Sequence, residues 1–331
     1  MAPTPEAQAL PVLKGSDILQ KLEALRRRQE VRYYAFYSSQ LGGVVTDPAL
    51  MVLPFDDHMV HRGHGIFDTA AIVEGRIYDL DAHLDRFMRS AKAARLDVKP
   101  PREEMRRIII ETAAASGARE GSIRYWLSSG AGSFELGPVK NGEPGFFVMI
   151  FAGLSYPGSY YTQGMKVMTT TCPIKPPLYA TTKSTNYLPN VLMQMEAREK
   201  GLDNGVFVDA EGNVGEGSNM NVAFVKDGVF LHPRFDHILS GCTSVRLLEL
   251  MPGLVKKGVV KDFQVRDIPV AEAKTSAEMM FIGSSINVAP IVEWDGQKVG
   301  EGKPGPVAKA LLEVLKEDMK SAKERLIEVP Y

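Results

Sequence analysis

The sequence predicts a mixed α/β (α+β) chain folded as two domains. Three observations carry that prediction. The chain has 331 residues, long for a single hydrophobic core. Short β-prone runs alternate with amphipathic helical stretches along most of its length. The stretch GLSYPGSYYTQG at 153–164 breaks an apolar run with Gly and Pro, as a linker does. The expected layout is an N-terminal extension and helix at 1–33, a smaller domain at 34–152, the linker at 153–164 and a larger domain at 165–331.

Residues 1–14 are rich in Pro and Ala and are expected to be irregular. SDILQKLEALRRRQE at 16–30 has a Ser–Asp start and apolar Ile18, Leu19, Leu22 and Leu25, which predicts an amphipathic helix with a basic outer face. Residues 31–55 alternate β-prone runs with turns, and AIVEGRIYD at 71–79 reads as a hairpin turning at Glu74–Gly75. Helices are expected at 81–95, with Leu84, Phe87 and Met88 on one face, and at 102–117. Strands are expected at 121–130 and 145–153, then at 165–171 after the linker. Pro189 suits the first turn of a helix ending at Gly201. Strands at 205–209 and 221–225 bracket a Gly-rich turn carrying Glu216, and a hairpin turns at Lys226–Asp227–Gly228. A helix from 243 to 251, strands at 258–268 and 278–283, and a final helix at 304–326 complete the chain.

Composition excludes several classes of function. With 39 basic and 40 acidic residues, nothing invites nucleic acid or an anionic membrane. The longest apolar run, FFVMIFAGL at 146–154, fits a buried strand and is too short for a bilayer. The two cysteines, Cys172 and Cys242, stand apart, which suits a reducing compartment and rules out a disulfide framework. The first residues carry no secretory pattern, so the expected location is the cytoplasm, or a plastid or mitochondrial matrix after removal of a transit peptide. His58, His61 and His64 lie close in sequence but lack the carboxylates of a catalytic metal site, so no metal is expected.

The chemistry concentrates at 180–221. From Val167 to Met195 the only charged side chains are Lys175 and Lys183. A lysine among uncharged groups loses hydration, and its amine becomes a usable nucleophile or base. Lys183 precedes a helix start, whereas Lys175 lies among prolines and is expected at the surface. Glu216 follows about thirty residues later, Gly241–Cys242–Thr243 opens a helix whose free N–H groups suit a phosphate, and Gly283–Ser284–Ser285 follows a buried strand. Pyridoxal phosphate needs this set of groups: an amine for its aldehyde, an acid for its pyridine nitrogen and donors for its phosphate.

The segment KSTNYLPNVLMQMEAREKGLDNGVFVDAEGNVGEGSNMNVAFV resembles the signature of the fold-type IV pyridoxal-phosphate enzymes. That family comprises branched-chain aminotransferases, D-amino-acid transaminases, (R)-selective amine transaminases and aminodeoxychorismate lyases. The resemblance runs from about residue 34 to 325. It implies that Lys183 is the Schiff-base lysine and proton carrier, and that Glu216 is the acid on the pyridine nitrogen, with Ser218 and Asn219 of the same run among the cofactor contacts. Arg86 in AHLDRF matches a phosphate-binding arginine. Cys242 and Thr243 match a phosphate turn usually written G-I-T, and Ser284 matches a second such turn. Tyr187 resembles a tyrosine on the cofactor phenolic oxygen, although its spacing from Lys183 is one residue shorter. The substrate side would take His61, Arg62 and His64, Arg124 and Ser285.

The same resemblance implies a small α/β domain, a larger pseudo-barrel domain and a homodimer whose partner completes the site. The substrates would be an amino acid and a 2-keto acid. Residues 130–144 lack the Arg-x-His pair of bacterial D-amino-acid transaminases. The overall wording is nearest to the D-amino-acid transaminases of plants and green organisms, which makes a D-amino acid the expected donor.

Overall fold

The computed structural model describes residues 10–26 and 31–331. Most of the Pro- and Ala-rich start and the last four residues of the predicted 16–30 helix lie outside the described residues. Helix α1 (Gly15–Arg26) buries none of its side chains.

The first half of the chain builds one antiparallel sheet. It contains β1 (Tyr33–Ser38) and β2 (Gly43–Val45), the short helix α2 (His58–Arg62), then β3 (Gly65–Val73) and β4 (Arg76–Tyr78). Helices α3 (Leu80–Ala93) and α4 (Arg102–Ser116) follow, then β5 (Gly121–Ser128) and β6 (Gly145–Phe151). The β3–β4 turn falls at Glu74–Gly75, both at positive φ, as a two-residue hairpin requires. Leu84 and Phe87 of α3 and Met105 and Ile109 of α4 pack on Tyr125 and Phe146 of the sheet, all fully buried.

The second half builds a mixed sheet of nine strands. Its elements are α5 (Ser159–Thr162), β7 (Met165–Thr169), α6 (Pro177–Ala180), α7 (Leu188–Glu199), β8 (Asn204–Val208), β9 (Val214–Gly217), β10 (Asn221–Lys226) and β11 (Val229–His232). Next come α8 (Cys242–Lys256), β12 (Asp262–Val265), α9 (Val270–Ala273), β13 (Glu278–Gly283), β14 (Asn287–Trp294), β15 (Gln297–Lys298) and α10 (Pro306–Ser321). The main order is β12-β11-β10-β13-β14-β7-β8-β9, with β15 on β14. Edge strand β9 passes through residues 218–220 directly into central strand β10, and Gly217 N–H bonds the Met220 carbonyl at 2.8 Å. The sheet therefore curls, burying Val167, Val206, Phe224, Phe281 and Trp294 inside. Leu247 and Met251 of α8 and Leu311 and Leu315 of α10 cover its other face.

Three expectations need correction. Glu216 lies within strand β9 and not in a turn, because its flanking glycines leave room for neighbouring side chains: a Cβ on Gly217 would come within 2.6 Å of Phe281. Helix α8 runs past Pro252 to Lys256, since that proline sits on the exposed face while Met251 and Leu254 hold the next turn in the core. The final helix stops at Ser321, and β16 (Leu326–Glu328) returns to pair with β4 in the first sheet. The predicted large domain, 165–331, thus contributes a strand to the other sheet.

Helix α10 is started by a remote side chain. Glu278, 8% exposed on β13, accepts from the N–H groups of Val307 and Ala308, each at 2.9 Å. Glu278→Ala is expected to lower stability by about 1–2 kcal/mol, seen as a lower urea midpoint at unchanged slope.

Candidate active site

Strand β3 and the Lys183 segment meet edge to edge. Phe67 N–H donates to the Lys183 carbonyl at 3.0 Å, and Thr185 N–H to the Gly65 carbonyl at 2.9 Å. Lys183, 8% exposed, then points its amine into a cavity of ≈ 270 Å³ between the two sheets. Its Nζ donates to the Tyr187 hydroxyl at 3.3 Å and lies 4.8 Å from the Phe67 ring centre. Burial, reinforced by the positive Arg86, lowers its pKa to about 8, while Asp68 and Glu216 pull the other way. Burial pushes Tyr187 up to about 12, so it stays a neutral phenol.

Glu216 enters the same cavity from β9. Its Oε2 accepts from Leu239 N–H at 3.2 Å and from the Asn221 side-chain amide at 3.4 Å. Burial raises this carboxyl to about 7, against the opposing pull of Lys175, the Leu239 N–H and Lys183.

Arg86 comes from α3. Its Nε and Nη2 donate to the two Asp68 oxygens at 2.9 and 2.6 Å, and Nη1 donates to the Ser240 carbonyl at 3.1 Å. Burial works against the Asp68 carboxylate, yet Arg86 and His83 beside it hold its pKa well below the usual range. Opposite Arg86, the Thr243 and Ser284 hydroxyls approach to 3.3 Å, bringing the two small-residue turns together. No side chain caps α8, so its first N–H groups stay available next to Thr243. A Cβ on Gly241 would sit 2.2 Å from Asn221 Oδ1, so the approach of this turn to β10 requires glycine.

Arg86, Tyr187, Ser218, Asn219, Thr243, Ser284, Ser285 and Arg124 all line the cavity with Lys183 and Glu216. Cys242 is buried beside them, with its side chain toward His83 and not the cavity. Arg124 donates to Thr69 Oγ1 at 3.1 Å and has no carboxylate partner among the described residues. Its guanidinium stands 5.4 Å from the Phe67 ring centre, and burial lowers its pKa. Arg124 and Leu154 also border a second, more apolar cavity of ≈ 340 Å³ with Trp126, Met149 and Phe151.

His61, Arg62 and His64 are not brought to this cavity. Arg62 Nη2 donates to the Phe134 carbonyl at 2.8 Å, the His61 ring packs 4.9 Å from the Phe134 ring, and His64 Nε2 bonds the Ala94 carbonyl at 2.8 Å. Lys175 is not the surface lysine expected: it is half-buried, with Nζ 4.9 Å from the centre of the Tyr187 ring. Sequence reasoning missed Asp68, Tyr156 and Asn190. Asp68 is fully buried within the mostly apolar strand GIFDTAAIV, a position that asks for a cationic partner. Tyr156, in the linker, lines the cavity, and the Asn190 side-chain amide donates to the Ser218 carbonyl at 2.6 Å.

Among the described residues no helix is long and apolar enough to cross a membrane. Residues 65–294 match the model of the family described as amino-transferase class IV. The chain is 48% identical over 325 residues to a chloroplastic D-amino-acid transaminase of Arabidopsis thaliana, covering 97% of this chain and 86% of that protein. It is 28% identical over 285 residues to a D-alanine aminotransferase of Staphylococcus haemolyticus, covering 82% and 94% of the two chains. Among solved structures, the T.th. branched-chain amino acid aminotransferase with pyridoxamine 5'-phosphate superposes with a TM-score of 0.82 at 25% identity, covering 91% of this chain and 100% of that one. With its lysine, acid and two small-residue turns gathered in one cavity, this chain belongs to the class IV aminotransferases.

Proposed function

We propose that this aminotransferase takes its amino group from a D-amino acid, passes it to a 2-keto acid, and works as a homodimer. Its cofactor is pyridoxal 5'-phosphate, and the cavity fits that group. Bound there, the cofactor supplies an aldehyde to receive the amino group and a pyridine ring to take up the electrons left by the departing α-proton. Thr243, Ser284, the free N–H groups of α8 and Arg86 would hold the phosphate. Glu216 would keep a proton on the ring nitrogen, and Tyr187 would bond the phenolic oxygen. The Lys183 amine would anchor the cofactor and then carry the proton from the substrate α-carbon.

The observation that carries this reading is the pair of Lys183 and Glu216, both buried and both facing one cavity. The 48% identity to a D-amino-acid transaminase supports the D preference. Rapid-mixing spectra of the bound cofactor test it. D-alanine and D-methionine should discharge the visible absorption, and discharge by L-leucine with no response to the D-amino acids would sink the preference. The second cavity favours one competing reading, an L-branched-chain aminotransferase, because its apolar wall suits an aliphatic side chain. That outcome is the one the L-leucine arm detects. Formation of 4-aminobenzoate and pyruvate without an amino acceptor would instead point to a lyase, and turnover of (R)-1-phenylethylamine to an amine transaminase.

Arg124, half-buried at the cavity and without a carboxylate partner among the described residues, would hold an anionic group of the substrate. Arg124→Leu is expected to raise KM for 2-oxoglutarate by about 10–100-fold while pyruvate changes little, as loss of one charge-assisted contact predicts. The dimer is read from the family resemblance, and sedimentation velocity checks it. Similarity to a chloroplastic relative supports a plastid location, with the cytoplasm as the alternative.

A further inference from the structure

Two histidines away from the cavity, His58 and His64, make an arrangement of their own. His58 Nε2 faces the Leu136 carbonyl at 3.2 Å, and His64 Nε2 faces the Ala94 carbonyl at 2.8 Å. A carbonyl only accepts, so both Nε2 atoms must carry hydrogen. The two remaining nitrogens, His58 Nδ1 and His64 Nδ1, lie 3.1 Å apart. In two neutral rings both would present lone pairs, and the contact would repel. One extra proton turns it into an N–H···N hydrogen bond.

This contact sits directly behind the catalytic segment. His64 lies between Gly63 and Gly65, the residues on which that segment hangs. The Gly63 carbonyl accepts from the Thr185 hydroxyl at 3.0 Å and from the Asn186 amide at 3.2 Å. The Gly65 carbonyl accepts from Thr185 N–H, and Phe67 N–H donates to Lys183 itself.

We propose that His58 and His64 share one proton as a charged pair, and that this pair positions Lys183 through the Gly63–Phe67 run. The proposal rests on Lys183 being the catalytic lysine. The groups around the pair do not offer a substitute charge. Asp57, the cap of α2, is engaged by Met59 N–H at 2.9 Å and the Ser128 hydroxyl at 2.7 Å. Asp56 accepts from Gly132 N–H, Arg62 is held at the Phe134 carbonyl, and Glu135 acts on His58 only through its backbone. On the α3 side the contact is the Ala94 carbonyl, with exposed Arg95 next in the chain. His61 stacks edge-on against His58 with ring centres 5.2 Å apart. Burial first, and then the neighbouring His64, lower the pKa of His58, which suits His58 Nδ1 to the acceptor end of the contact. As pH rises the pair loses that proton, two lone pairs face each other and the support is lost.

The test is a count of ring protons in the holoenzyme. With [15N]histidine, the spectrum should show three protonated nitrogens over His58 and His64, one of them coupled across an N–H···N bond. Two neutral rings with two protonated nitrogens would overturn the proposal. His64→Phe should lower kcat by about tenfold or more with KM within about twofold, the mark of a misplaced reacting group. His64→Asn can donate to His58 without an extra charge and should recover most of that loss. A wild-type kcat in His64→Phe, or no recovery in His64→Asn, would also overturn it. If His64→Phe fails to fold, the proton count on the unaltered holoenzyme decides. That count does not depend on what Lys183 does, which Lys183→Ala tests separately.

Discussion

Lys183→Ala is expected to lower kcat for transamination by on the order of 10⁵-fold or more, because one side chain serves as both covalent anchor and proton carrier. Keto-acid release from D-alanine measures it. The fold should survive, since the main-chain bonds of residue 183 to Ser90 and Phe67 do not involve the amine. The unaltered protein gives a companion result. Burial first, and then Arg86, bring the amine to about 8, from 10.5 for an ordinary lysine. At neutral pH this raises the free-amine fraction on the order of 300-fold. Loading of the apoprotein with pyridoxal phosphate should therefore quicken about tenfold per pH unit below that value and level off above it. A loading rate independent of pH would mean that the amine is not the attacking group.

Glu216→Gln is expected to reduce kcat by about 100–1000-fold and to change the visible spectrum of the bound cofactor, because an amide keeps the shape but cannot hold a proton on the ring nitrogen. It should also alter the stability of the apoprotein. Burial raises this carboxyl to about 7 in the fold against 4.5 for an ordinary glutamate. The native state then binds more protons than the unfolded chain across that window. The stabilising contribution is complete below about 4.5 and lost as pH rises through about 7, a swing of about 3 kcal/mol. Urea unfolding of the apoprotein at several pH values should show that decline, and Glu216→Gln should remove most of it. Lys183 acts at higher pH with the opposite sign, so the two do not cancel within this range.

The parts of the site legible in the sequence share a property. Lys183, Glu216, Thr243 and Ser284 each stand in a local run whose residue types already declare an unusual need, whereas Arg86 is picked out only by the family resemblance of AHLDRF. Glycines or a helix start flank these residues in the chain itself, which makes them visible before any long-range contact is known. What was not legible depends on distant packing. Asp68 becomes the partner of Arg86 only when α3 lies across β3, eighteen residues apart in sequence. Lys175 looks like a surface residue because prolines surround it, yet its Nζ lies 4.9 Å from the centre of the Tyr187 ring, a contact between residues twelve apart that the sequence does not declare. The resemblance implies that His61, Arg62 and His64 face the substrate. A five-residue helix with its cap at Asp57 and a left-handed Gly63 turns His58, His61 and Arg62 toward the loop at 134–136 and His64 toward the Ala94 carbonyl instead. Sequence shows that charged residues are close, and only the turn geometry shows which way they point.

Strand β16 has a consequence for how the molecule melts. It belongs to the first sheet while the helix before it covers the second, and the same end of the chain is nailed down several times over. Arg325 pairs with Asp79 at 2.9 Å, Tyr78 hydrogen-bonds Asp318, and the Tyr331 ring lies under Arg119 at 3.7 Å. Neither half can lose its structure without pulling a strand or an ion pair out of the other. Two halves of this size would ordinarily give two heat-absorption peaks. Here calorimetry should record a single peak, and removal of residues 322–331 should split it.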